Sequence, residues 1–204
     1  GMDPRINNDA ALFFAAKGMR KKPNKLPIFK YLETLGLNVR SFNKENENLL
    51  HLLSASSKDT VLLKYLLEKG VSIDKMNSKG STPISLAVEK QNMDALFLYT
   101  KNKGDFSMIS KEGNSLVHKA VKHENWELMK LVLERNDINL KNDDGMTALH
   151  LAAMTGENID FIETLLAAGA DKNITTTFGE TAYNLAMENE LLNKDVDALK
   201  FLIP

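Results

Sequence analysis

The sequence predicts an all-α solenoid of about six helix-turn-helix repeats joined by short turns. Three observations predict it. A glycine-led phrase recurs at Gly80, Gly113, Gly145 and Gly179, at spacings of 33, 32 and 34 residues. Each phrase opens a short helical pattern, then a polar break, then a longer helical pattern with a paired aliphatic stripe. The composition, 43% hydrophobic with 11 Gly and 5 Pro, supplies a continuous core without a collagen-like or disordered bias. A period of this length marks stacked two-helix units that bury one another.

The phrase reads Gly80-Ser81-Thr82-Pro83-Ile84-Ser85, Gly113-Asn114-Ser115-Leu116-Val117-His118, Gly145-Met146-Thr147-Ala148-Leu149-His150 and Gly179-Glu180-Thr181-Ala182-Tyr183-Asn184. A weaker copy, Asn46 to His51, lies 34 residues before Gly80. Thr82, Ser115, Thr147 and Thr181 stand where a hydroxyl caps the helix that follows. Pro83 occupies the first helical position, where its missing N–H costs nothing. Ala87, Ala120, Ala152, Ala153 and Ala186 allow close helix approach. Leu66-Leu67, Leu131-Val132 and Leu165-Leu166 give the longer helices their apolar stripe. Gly70 and Gly169 end such helices with positive φ; Lys103 and Arg135 take that slot in two other units. The expected helix pairs are 10–18 with 26–35, 48–56 with 59–69, 82–90 with 92–102, 115–123 with 125–134, 147–155 with 158–168, and 181–190 with 195–203. They form one domain over 1–204, with units near 5–40, 41–74, 75–107, 108–139, 140–173 and 174–204.

These phrases, with exits such as Gly169-Ala170-Asp171-Lys172-Asn173 ten residues before the next glycine, resemble the ankyrin repeat family over nearly the whole chain. The resemblance implies a binding module without a chemical step. It also implies that His51, His118 and His150 are structural, each bonding backbone in the adjacent turn. It further implies a concave face made of turn tips and inner-helix ends. On this sequence the tips are Lys79, Ser81, Lys111, Glu112, Asn114, Asp143, Asp144, Met146 and Phe178. The helix ends are Glu89, Lys90, Lys122, His123, Met154 and Thr155. Met146, Met154 and Phe178 are apolar where packing does not demand it, and are expected to form an adhesive patch for a protein partner.

Other features are expected to be structural. The run Lys17 to Lys25 reads as a solvated loop between helices, without the interleaved aromatics of a nucleic-acid groove. His123 reads as a surface residue. Asp143-Asp144 reads as a turn, lacking the alternating oxygen ligands of a calcium loop. Trp126 reads as partly packed. The 26 basic and 27 acidic residues leave a net charge of −1, and no global field draws in nucleic acid. With no Cys, disulfides and thiolate chemistry are excluded. No apolar run reaches the roughly 18–20 residues of a membrane helix. No phosphate-binding loop, nucleophile elbow or zinc-protease motif is present, so neither catalysis nor a cofactor is expected. Gly1-Met2 reads as a cloning scar, which leaves localisation undetermined. The alternative function is a structural segment of a longer repeat protein, or an array that self-associates end to end through its apolar termini.

Overall fold

The computed structural model describes residues 8–18, 24–56, 59–192 and 199–204. Among the described residues, eleven α-helices alternate between inner and outer positions. The inner ones are α1 (Asn8–Gly18), α3 (Leu49–Ser56), α5 (Pro83–Glu89), α7 (Leu116–Val121), α9 (Ala148–Thr155) and α11 (Ala182–Glu188). The outer ones are α2 (Leu26–Thr34), α4 (Thr60–Glu68), α6 (Met93–Lys101), α8 (Trp126–Leu133) and α10 (Ile159–Ala167). Among the described residues there is no strand, only an isolated bridge between Thr175 and Thr181. The fold is the all-α, ankyrin-type solenoid that the repeat predicts.

The chain divides into two compact units, 1–105 and 106–204. In the first, α1, α3 and α5 pack in a row, with α2, α4 and α6 packed as a parallel outer row. In the second, α7, α9 and α11 form the row, and α8 and α10 lie against α7 and α9. The alanines of the inner helices make this spacing possible: Ala87, Ala120, Ala152, Ala153 and Ala186 are all buried. Of each paired aliphatic stripe, one member is buried (Leu66, Val132, Leu165) and its neighbour half-buried.

The caps act as their residue types require. Thr82 accepts from the Ser85 amide at 3.1 Å, and the Ser85 hydroxyl accepts from the Thr82 amide at 2.9 Å. The outer helices α4, α6, α8 and α10 are capped by Asp59, Asn92, Asn125 and Asn158, each side chain accepting an N–H of the first turn. Positive φ at Gly70, Gly169 and Lys103 ends α4, α10 and α6, whereas Arg135 keeps negative φ. Gly104 is closely packed: a Cβ there would lie 2.7 Å from Ile84 Cδ1 and 3.2 Å from the Tyr99 carbonyl oxygen. The glycine therefore serves close packing, and Lys103 bears the left-handed backbone.

Two expectations need correction. The loop from Lys17 to Lys25 is not solvated throughout. Residues 19–23 lie outside the described residues, but Lys25 is only 3% exposed. Its Nζ donates to the Ala16 carbonyl at the C-terminal end of α1, and its amide donates to Asp59 Oδ2 at 2.9 Å. The ammonium is favoured there because the last carbonyls of a helix carry partial negative charge. The expected outer helix over 195–203 falls partly on 193–198, outside the described residues. Its described end is a short 3₁₀ turn, Lys200–Leu202.

Candidate functional site

The tips are built first. In each, an Asn, Ser or Thr closes a tight loop around the phrase glycine. Asn142 is typical: its amide donates to the Met146 carbonyl, and its side-chain oxygen accepts from the amides of Asp144 and Met146. Successive tips then pair. Ser78 N–H donates to the Glu45 carbonyl, Asp143 to Glu112, and Thr177 to Asp144, at 2.9, 3.2 and 3.0 Å.

The phrase histidines lock tip to helix. Ser115 N–H donates to His118 Nδ1 at 3.1 Å, and His118 Nε2 lies 3.0 Å from the Met146 carbonyl. A backbone N–H can only donate and a carbonyl can only accept, so the ring is neutral with its proton on Nε2. Burial holds its pKa below the ordinary 6.5, against the opposing pull of the Met146 carbonyl. His51 reaches the Ser81 carbonyl in the same way, at 3.1 Å. His150 keeps the cap contact with Thr147, but its buried Nε2 has no hydrogen-bond partner; it lies toward the Glu180 carbonyl outside bonding geometry. Both nitrogens of His118 are committed to backbone, which removes it as a base. Among the described residues no group of three or more His, Asp or Glu could hold a metal ion.

In the second unit the tips and inner-helix ends enclose an open groove of about 840 Å³. It gathers Asn114, Lys122, His123, Asp144, Met146, Met154 and Thr155 from the sequence-predicted residues. Val121, Leu151, Met146 and Met154 give it an apolar floor. Lys119, Lys122, Asp144 and Glu157 supply charge of both signs at its walls. Lys111, Glu112, Asp143 and Phe178 are exposed but do not line it; Ser110 bonds the Glu112 carboxylate and holds its pKa below the usual range. The apolar trio is thus split, with Met146 and Met154 in the groove and Phe178 outside it. His123 is half-buried in the groove wall rather than on the open surface. Lys79, Ser81, Glu89 and Lys90 belong to the first unit, where Lys90 pairs with Glu89 at 3.1 Å.

Sequence reasoning missed the residue that shapes one wall. Glu124, at φ +45°, turns its carboxylate onto the amides of Glu157 and Asn158, at 2.8 and 3.2 Å. A carboxylate at the start of α10 satisfies amides that have no partner within the helix. The signal was available: an acidic residue recurs 33 residues later at Glu157, immediately before the next outer-helix cap. Trp126 lies outside the groove, half-exposed, with its ring 4.6 Å from that of buried Phe161.

The family is shown by comparison. A family model described as ankyrin repeats (3 copies) matches residues 86–176 and 116–204, more than half of the chain. The chain belongs to the ankyrin repeat family. It is similar to the putative palmitoyltransferase ZDHHC13 of Danio rerio, 25% identical over 195 residues, covering 78% of this chain and 30% of that protein. It is 31% identical over 128 residues to the putative ankyrin repeat protein FPV031 of fowlpox virus, covering 60% and 38%. Against Rabankyrin-5 of Homo sapiens it is 26% identical over 151 residues, covering 72% and 13%. The chain therefore spans well under half the length of these relatives. A chain of the solved complex of Bd0816 predatory endopeptidase from Bdellovibrio bacteriovorus with immunity protein Bd3460 superposes with a TM-score of 0.76 at 24% identity. That likeness covers 95% of this chain and 96% of the other, and shows the fold. Ankyrin repeats are generally protein-interaction modules, and the fold is generally non-catalytic. Among the described residues no helix is long and apolar enough to cross a membrane.

Proposed function

We propose that the chain binds another protein through its tips and inner-helix ends, with the groove of the second unit as the main seat. The convergence of seven sequence-predicted residues on that one groove carries this reading. Its apolar floor suits one or two large apolar side chains of an extended segment. Lys119 and Lys122 on one hand, and Asp144 and Glu157 on the other, orient the segment by charge rather than supply most of its affinity. Tip pairing and capping hold the walls in place before binding, which lowers the ordering cost of association. Lys79, Ser81, Glu89 and Lys90 of the first unit, and Lys111, Glu112, Asp143 and Phe178 of the second, are secondary contacts.

The test is selection of peptides from a displayed random library on the intact protein. Selected peptides should carry bulky apolar residues and lose at least about tenfold in affinity, about 1.4 kcal/mol, against Met154→Asp. Lys90→Glu in the first unit should change affinity less. Peptides that bind wild type and Met154→Asp equally would refute the groove as the seat.

A further inference from the structure

Six residues after Asn46, Gly80, Gly145 and Gly179 stand Leu52, Leu86, Leu151 and Leu185. Six residues after Gly113 stands Lys119. All five residues are buried or half-buried, so the repeat asks for an apolar side chain and α7 supplies an ammonium. Three residues further on, Ala55, Glu89, Met154 and Glu188 stand against Lys122. Of these five helices α7 alone is cationic at both positions. A local break in a pattern that the rest of the array keeps is the mark of a functional or strained position.

The break falls in the groove of the second unit. There α9 and its tip contribute Met146, Leu151 and Met154, and the same three repeat positions of α7 and its tip contribute Asn114, Lys119 and Lys122. One edge is thus apolar and the facing edge carries donors. Asn114 Oδ1 accepts from Asn142 Nδ2 at 3.0 Å, which leaves the Asn114 Nδ2 to donate. Among the described residues neither Lys119 nor Lys122 forms an ion pair. The Glu112 carboxylate acts on Lys119 by charge and not by contact. Partial burial of an ammonium costs free energy unless a partner offsets it, and no described group in contact with Lys119 does so.

We propose that this cationic edge receives an aspartate or glutamate side chain of the bound protein segment, beside the bulky apolar residue seated on Met146, Leu151 and Met154. The inference rests on the groove being the seat of binding. The carboxylate completes the two ammonium groups that the chain leaves without partners, and the facing edge takes its apolar neighbour. The pairing therefore fixes which side of the segment faces α7 and which faces α9. The other charges of the groove narrow the anion. Lys119 and Lys122 share it with the carboxylates of Glu124, Asp144 and Glu157. A doubly charged phosphate meets twice the repulsion from those acids that a carboxylate does. Its desolvation cost, which rises with the square of the charge, is also steeper beside an apolar floor. A single carboxylate is the anion that suits both the lysines and the floor.

Peptides selected from the displayed library on the intact protein test this. An Asp or Glu should be enriched at a fixed spacing from the bulky apolar residue. Exchanging that acid for Asn or Gln should weaken binding to wild type about fivefold, and much less to Lys119→Leu, because the two changes remove one interaction. Lys119→Leu restores the residue of the other repeats, so an unchanged or raised thermal melt confirms folding. Peptides without a fixed acid that still lose affinity to Met154→Asp would overturn this inference and leave the groove as the seat. An acid whose exchange weakens binding equally to wild type, Lys119→Leu and Lys122→Leu would also overturn it. Tighter binding of the same peptide with phosphoserine in place of the acid would overturn the choice of a single carboxylate. Peptides indifferent to Met154→Asp would remove the groove and this inference together.

Discussion

His118 shows why a buried histidine here is a fastener rather than a switch. Its acceptor nitrogen serves the cap of its own helix, and its N–H serves the next tip. Replacing it by Ala removes both and leaves a buried carbonyl and amide without partners, at a cost of about 2 kcal/mol in urea unfolding. His118→Asn should recover part of that, because Asn184 already performs the capping half of the role. The sign of the pH dependence follows. Burial lowers the pKa of His51, His118 and His150 below 6.5. Above that value all three are neutral in both states and their contribution is complete. Below it the unfolded chain binds protons that the folded chain resists, so stability falls with pH until each folded pKa is passed. The slope is about 1.4 kcal/mol per pH unit per histidine within that window. Denaturant midpoints measured from pH 7.5 to 5 check this. His51 differs in one respect: its cap is Asn48, whose Oδ1 lies 2.9 Å from Nδ1. Two acceptors face each other when the ring is neutral, and protonation relieves that contact. Asn48→Ser should therefore lower the His51 pKa further, read from its ring proton in an NMR titration.

At the level of elements, most of the fold was legible because the helix starts from α3 to α11 are written in side chains that act locally, whereas Lys25 at the start of α2 makes no such bond. Thr82, Ser115, Thr147 and Thr181 cap where the sequence places them, and the ends of α2, α4, α6, α8 and α10 fall within a residue or two of expectation. The misses have a common cause. Lys25 looks like loop charge, and its burial depends on a carbonyl nine residues back and a carboxylate 34 residues on. The groove wall depends on Glu124 meeting amides 33 and 34 residues away. Such contacts cross the repeat, and a pattern read within one repeat does not contain them. The glycines of the tips divide on the same principle. Gly145 and Gly179 share a left-handed backbone, at φ +73° and +79°, which costs an L-residue about 1 kcal/mol. Only Gly145 also faces the next tip, with Thr177 N at 2.7 Å from a built Cβ. Gly145→Ala should therefore destabilise at least twice as much as Gly179→Ala in thermal or urea unfolding. Equal losses would mean that backbone strain alone sets the cost.

Over the whole molecule, the 33-residue period was the most legible feature, since it survives one- and two-residue shifts and the exchange of His for Ser or Asn. Site assignment was weaker, because the period marks which positions reach the tips but not which tips share a groove. The seven residues that converge and the eight that do not have the same local pattern. Charge is the remaining molecular property that constrains partners. The acidic and basic residues nearly cancel, and the groove itself carries both signs. Lys25, which closes the basic run of the sequence, is turned inward onto the end of α1. A polyanion gains affinity by releasing counterions against clustered cations, and that release scales with the number of phosphates neutralised. With a net charge of −1 and both signs in the groove, the protein should pass through a heparin column at physiological salt and should not retard duplex DNA in a gel. Retention on heparin would point to the residues around Lys17, and Lys17→Glu would then have to abolish it. Retention unaffected by that change would place an anion-binding surface elsewhere on the chain.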